Sequence, residues 1–266
     1  MDKTIETNGG TLFYRDLGSG EPVLLLHGFA EDGVVWEKVA EGLSRNCRLL
    51  IPDLPGSGRS TLSEVTTMES MAAVVKRLLD REGVERCILI GHSMGGYIAL
   101  AFSELYPERL RAFGLFHSTA YADSEEKKAG RLKSIAFIRE HDAQPFIRQS
   151  TPGLFAIETR EDRPWLIDDM IDRYGGFSAD ALSAYLEAMR QRPDRVHVLK
   201  RSGVPVLFVI GEKDQIVLPE QSFAQAHLPA LSYLSVLPDS GHMGMLEEPA
   251  AGAASIQSFV NFVINL

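Results

Sequence analysis

The stretch Ile88-Leu89-Ile90-Gly91-His92-Ser93-Met94-Gly95-Gly96 constrains this chain more than any other, because an apolar run stops there at a serine bracketed by glycines. The pattern is G-x-S-x-G. Where a buried strand turns abruptly into a helix, the serine between them takes a strained backbone conformation, and its neighbours must be small because strand and helix nearly collide. Gly91, Gly95 and Gly96 meet that need. The pattern by itself would arise in about one chain in ten of this length, so its surroundings decide. Cys87 to Ile90 is an aliphatic, β-branched run of strand length, and Tyr97, Ile98, Ala101, Phe102 and Leu105 recur at helical spacing up to Pro107.

The rest of the chain falls into a rhythm around that elbow. Thr4–Thr7 and Thr11–Leu17 flank Asn8-Gly9-Gly10 and predict an antiparallel hairpin. Pro22 to His27 is a continuous apolar run, as expected of a parallel strand buried on both faces. A helical pattern follows through Val35, Trp36, Val39, Ala40 and Leu43, then a strand at Arg48–Ile51 that closes in the turn-rich loop from Pro52 to Ser60. Met71 to Leu79 predicts an amphipathic helix before the elbow strand, and Arg111–His117 a strand after the elbow helix. The order β-β-β-α-β-α-β-α-β predicts a mostly parallel sheet with helices on both faces.

From about Ala120 to Ser202 no strand pattern appears, and four or five helical patterns replace it. Asp123 with Glu126 reads as a capping box, Pro164 as the start of a helix, and Ser178 as the cap of another. Residues 123–201 hold 14 Lys and Arg against 14 Asp and Glu, so the chain's net charge of −9 arises outside them. The alternation then resumes, with strands at Pro205–Ile210 and Ser232–Leu237 and helices at Pro219–His227 and Pro249–Val263. This divides the chain into a core (1–119 and 203–266) and a helical insertion (120–202).

A serine at an elbow needs a base to take its proton, and the base needs an acid to hold its ring in one tautomer. Ser93 is the candidate nucleophile. Asp214 lies just past one strand end, with Glu212 and Asp239 as rival carboxylates, and His242 lies just past the last strand; Ser, Asp, His is the chain order this elbow calls for. Of the seven histidines, His92 adjoins the serine and cannot easily reach back to it. His27 and His117 end strands as structural groups, and His141, His197 and His227 sit in helical contexts that suggest solvent. The backbone N–H groups of Met94 and Phe29 are the expected donors to a developing oxyanion. Trp165, Met170 and Tyr185 are candidates for lining a substrate pocket, with Tyr174 and Met189 on the same stripes, although core packing produces the same spacing.

The negative charge disfavours nucleic acid or an anionic membrane as a partner. Cys47 and Cys87 each adjoin an apolar run and are expected as buried free thiols in a reducing compartment. No stretch resembles a signal peptide or a membrane span, so a cytoplasmic protein acting on a small molecule is expected, without metal or cofactor; nothing here fixes an oligomeric state. A nucleotide-binding reading fails because the glycine spacings match neither a P-loop nor a dinucleotide fingerprint.

Taken together, His27-Gly28-Phe29 with Trp36, Asp53 to Ser60, Gly91 to Gly96, Gly211 to Asp214, and Gly241-His242 with Glu247 and Pro249 resemble a serine hydrolase of the α/β-hydrolase superfamily over nearly the whole chain. The resemblance implies an α/β fold with an eight-stranded sheet, a helical cap after the sixth strand, and a substrate pocket between cap and core. Epoxide hydrolases and haloalkane dehalogenases carry Asp where this chain has Ser93, and the glycine-run lipases do not match Phe29-Ala30-Glu31. A carboxylesterase working through Ser93, His242 and Asp214 is the leading expectation. Thioesterase, carbon-carbon bond hydrolase and cofactor-free perhydrolase chemistry on the same residues, or a ligand-sensing receptor on this fold, stand as alternatives.

Overall fold

The computed structural model describes residues 1–7 and 9–266. The chain enters through β1 (Asp2–Thr7), β2 (Gly10–Gly18) and β3 (Glu21–Leu26). It continues through α1 (Glu37–Leu43), β4 (Cys47–Pro52), α2 (Met68–Arg81), β5 (Cys87–His92), α3 (Met94–Leu105) and β6 (Leu110–Phe116). Strands β1 and β2 form the expected antiparallel pair, with Thr7 opposite Gly10; Asn8, the first residue of the expected turn, lies outside the described residues.

Six α-helices separate β6 from the next strand: α4 (Glu125–His141), α5 (Ala143–Ser150), α6 (Ile157–Asp162), α7 (Trp165–Tyr174), α8 (Ala179–Gln191) and α9 (Val196–Lys200). Then come β7 (Val206–Gly211), α10 (Pro219–Ala226), β8 (Ser232–Leu237), the single turn α11 (Gly244–Glu247) and α12 (Pro249–Ile264).

The described residues form one eight-stranded sheet in the order β1-β2-β4-β3-β5-β6-β7-β8, antiparallel at β1/β2 and β2/β4 and parallel elsewhere. Every residue of β5 and β7 is buried, which is why these strands read as unbroken apolar runs: helices cover both faces of the sheet, so neither face selects polar residues. The strand order reverses beside β3, whose neighbours are β4 on one side and β5 on the other. In open parallel sheets the crevice for a ligand opens at such a reversal, beyond the strands' carboxyl ends. His27-Gly28-Phe29 and Ser93 both emerge there.

Two details of the helical segment differ from the sequence reading. Helix α4 is capped by Ser124, whose Oγ accepts the Lys127 N–H at 3.2 Å, rather than by Asp123. Asp123 is buried and binds two guanidinium groups instead, those of Arg131 and Arg192, so its carboxylate is committed to side chains and not to the helix end. Helix α5 has no counterpart among the sequence patterns, because it is only eight residues long and contains Pro145; Pro is tolerated there because it falls in the first turn. Ser178 does cap α8, accepting the Ala181 N–H at 3.3 Å. No helix among the described residues is long and apolar enough to cross a membrane.

Candidate active site

The site is set by how tightly β5 meets α3. A Cβ on Gly91 would lie 2.1 Å from the Gly95 carbonyl oxygen, and one on Gly95 would lie 2.6 Å from that of Leu26. Both obstacles are backbone, which cannot swing aside. Ser93, between them, has φ 48° and ψ −113°, a region that L-residues occupy only when their surroundings enforce it. Its N–H donates to Phe116 O at 3.0 Å, and its carbonyl accepts the Ser118 hydroxyl at 2.7 Å, so β6 and its following turn hold the strained residue in place. Gly95→Ala is expected to destabilise the protein by about 1–3 kcal/mol or more, the usual cost of forcing atoms into a packed interior. Thermal unfolding of the purified variant measures it.

Three of the residues singled out in the sequence meet at this elbow. The His242 Nε2 lies 2.9 Å from Ser93 Oγ, and its Nδ1 lies 2.8 Å from Asp214 Oδ2. The other Asp214 oxygen accepts the N–H groups of Ile216 (2.8 Å) and Val217 (3.0 Å), which fixes the carboxylate's orientation. Burial works to raise the Asp214 carboxyl, but the adjoining imidazole of His242 and the hydrogen bond it makes, with the His117 ring close by, hold it well below the usual carboxylate range. His242 shows the complement: burial opposes its charge, yet the Asp214 carboxylate prevails and raises it above the ordinary histidine value. The two rival acids stand apart, Glu212 exposed and Asp239 paired at the surface with Lys213 at 3.2 Å.

Phe29 and Ser93 line one cavity. No hydrogen bond within the protein engages the N–H of Phe29 or Met94 among the described residues, which leaves both free to donate. The loop carrying Phe29 is braced from behind. His27 Nε2 accepts the Leu54 N–H at 2.9 Å, so its Nδ1 carries the proton and donates to Gly28 O, also at 2.9 Å. The Glu31 carboxylate accepts the Gly28 N–H at 2.8 Å and meets His92 Nδ1 at 3.1 Å, while His92 Nε2 lies 3.0 Å from the His242 carbonyl oxygen. His92, set aside in the sequence because it cannot reach Ser93, thus joins the Phe29 loop, the elbow and the His242 loop. Nothing in sequence spacing pointed to this, since the three segments are far apart in the chain.

The cavity has a volume of about 430 Å³. Met170 lines it, as expected of that stripe. The other two candidates do not. Trp165 is 55% exposed at the start of α7 and does not line the cavity, and Tyr185 is fully buried, its hydroxyl donating to Pro55 O at 2.7 Å and lying 2.9 Å from Ser57 Oγ. Tyr185 therefore anchors the 53–60 loop. Tyr174 and Met189, from the same stripes, do line the cavity, and further apolar wall comes from Phe29, Phe146, Ile147, Leu154 and Leu186, of which Phe146 and Ile147 belong to the unforeseen α5.

With that geometry in place, the comparisons with known proteins become decisive at the level of family. Residues 23–255 match the model of the alpha/beta hydrolase family. The chain belongs to that family. At that level it is a hydrolase. It is 31% identical to a thermophilic esterase from Thermogutta terrifontis, solved with malate bound, over 99% of both chains and with a TM-score of 0.94. The enol-lactonase from Burkholderia xenovorans LB400 has a TM-score of 0.90 over 97% of this chain and 100% of its own, but at 22% identity that likeness concerns the fold alone. A dihydrolipoyllysine-residue acetyltransferase component of the acetoin cleaving system of Cupriavidus necator is 29% identical over 89% of this chain. The chain spans 62% of that relative's length.

Proposed function

We propose that the protein is a carboxylesterase that cleaves small-to-medium acyl esters through an acyl-enzyme on Ser93. The observation that carries this reading is the continuous hydrogen-bonded chain from Asp214 through His242 to Ser93 Oγ, opening into a cavity beside two unengaged backbone donors. In the proposed reaction Ser93 Oγ attacks the ester carbonyl carbon while its proton passes to His242 Nε2. The carbonyl oxygen becomes an anion held by the Phe29 and Met94 N–H groups. The imidazolium, steadied by Asp214, then returns its proton to the departing alkoxide. Water, deprotonated by the same imidazole, releases the acid and restores Ser93.

In this reading residues 120–202 act as a cap over the strand ends. The cap meets the core at the site itself, since the His242 N–H donates to Leu154 O at 2.7 Å and Glu247 accepts the Ala156 N–H at 2.8 Å. Covering the strand ends in this way lowers the local dielectric and strengthens the two oxyanion donors. The substrate is a small molecule, and the buried, unpaired Cys47 and Cys87 support a cytoplasmic setting.

The test is a series of p-nitrophenyl esters of graded acyl length. Each CH2 buried against the apolar wall contributes roughly 0.8 kcal/mol, so kcat/KM is expected to rise about fourfold per carbon until the cavity is full, and then to fall. Values independent of chain length would count against the cavity as the acyl site.

A further inference from the structure

Helix α4 brings polar side chains to the cavity. Lys127, Gly130, Arg131 and Ser134 line it, at helical positions i, i+3, i+4 and i+7, which form one stripe. Ile138, one turn beyond Ser134, continues this stripe past the cavity as a buried residue, Ile135 is buried beside it, and the helix packs along α8. The part of the stripe that reaches the cavity is its polar part, whereas a wall shaped only to hold a hydrocarbon chain would carry apolar side chains there.

The charges on this wall do not cancel. Asp123 is the carboxylate behind it, and it is paired with both Arg131 and Arg192. Lys127 forms no ion pair among the described residues. Its Nζ reaches only a neutral acceptor, the Ile216 carbonyl, at 3.3 Å, on the loop that follows Asp214. Helix stability does not explain a lysine here, because the first turn of a helix disfavours a cation. Glu31, the one carboxylate among the described residues that lines the cavity, already pairs with His92 and the Gly28 N–H.

We infer that the favoured substrates are esters bearing a carboxylate remote from the scissile bond, which Lys127 binds while the apolar wall holds the intervening carbons. This rests on the esterase reading and names its substrate class. A free carboxylate at the cavity mouth completes the lysine's ion pair, as a neutral chain end cannot.

The experiment compares monoethyl esters of C4 to C6 dicarboxylic acids with their monoamides, which match them in shape but carry no charge, and acetyl esters of ω-hydroxy acids with the corresponding amides. Acid release is followed by titration. For the best acid–amide pair, kcat/KM is expected to favour the acid about five- to tenfold, the ratio falling as salt is added. Lys127→Gln should bring the ratio near one, and Lys127→Arg should retain most of it. Equal turnover of acids and amides by the wild type, or a preference that survives Lys127→Gln, would overturn the inference and leave the esterase reading standing. Failure to hydrolyse any ester, charged or neutral, would overturn the esterase reading itself.

Discussion

Ser93→Ala is expected to lower kcat on any ester substrate by about 10⁴- to 10⁶-fold while leaving the protein folded. The loss is large because the covalent route disappears with the attacking oxygen, and the remaining oxyanion donors and binding contacts supply only a fraction of the rate. The fold should be indifferent for a local reason. The side-chain hydrogen bond that Ser93 makes is to His242, in a cavity where water can replace the hydroxyl. The strained φ of 48° is a property of the backbone, and alanine meets the same constraint as serine. Unfolding midpoints should therefore agree to within about 0.5 kcal/mol of stability, as for substitutions that disturb no packing. Measured kcat for purified wild type and variant, with unfolding curves for both, tests this. Activity retained after contamination has been excluded would remove Ser93 from its proposed role.

The elbow was legible in the sequence because three physical constraints converge on a few adjacent residues: an apolar strand, glycines where backbones nearly touch, and a helix of regular period. The sheet was legible for the same reason, since β5 and β7 are buried on both faces and only unbroken apolar runs satisfy that. The lining of the cavity was not. A helical stripe records which residues are apolar, and Met170 and Tyr185 carry the same signal although one faces the cavity and the other braces the 53–60 loop. Short helices escaped altogether: α5 spans little more than two turns, and its contribution through Phe146 and Ile147 depends on tertiary packing that a local pattern does not encode. The Glu31–His92 link was hidden more deeply, because it joins residues 61 positions apart. Alone, His92 resembles an ordinary polar residue at the end of a strand and Glu31 an ordinary loop acid.

Asp214→Asn separates orientation from mere presence of a polar group, and its expected cost is a fall in kcat of about 10⁴-fold. The asparagine amide has nearly the same shape, and its oxygen is held by the Ile216 and Val217 N–H groups that Asp214 Oδ1 now accepts. Its NH2 must then face His242 Nδ1. A donor in that position forces the imidazole proton onto Nε2, so the nitrogen facing Ser93 becomes a donor and cannot take the serine's proton. Asp239→Asn and Glu212→Gln, which act at exposed side chains, should change kcat by less than about threefold. The pH profile gives a second, independent signature. His242 must be neutral to act as a base, so kcat/KM falls as pH drops through its pKa, which the Asp214 carboxylate holds above the ordinary histidine value against the effect of burial. Removing the negative charge leaves burial unopposed by that partner, and burial favours the neutral ring. The acid limb of the residual activity should therefore move to lower pH in Asp214→Asn, even as the plateau falls. An acid limb that stays in place, or a crippling effect from Asp239→Asn instead, would show that another group holds the imidazole.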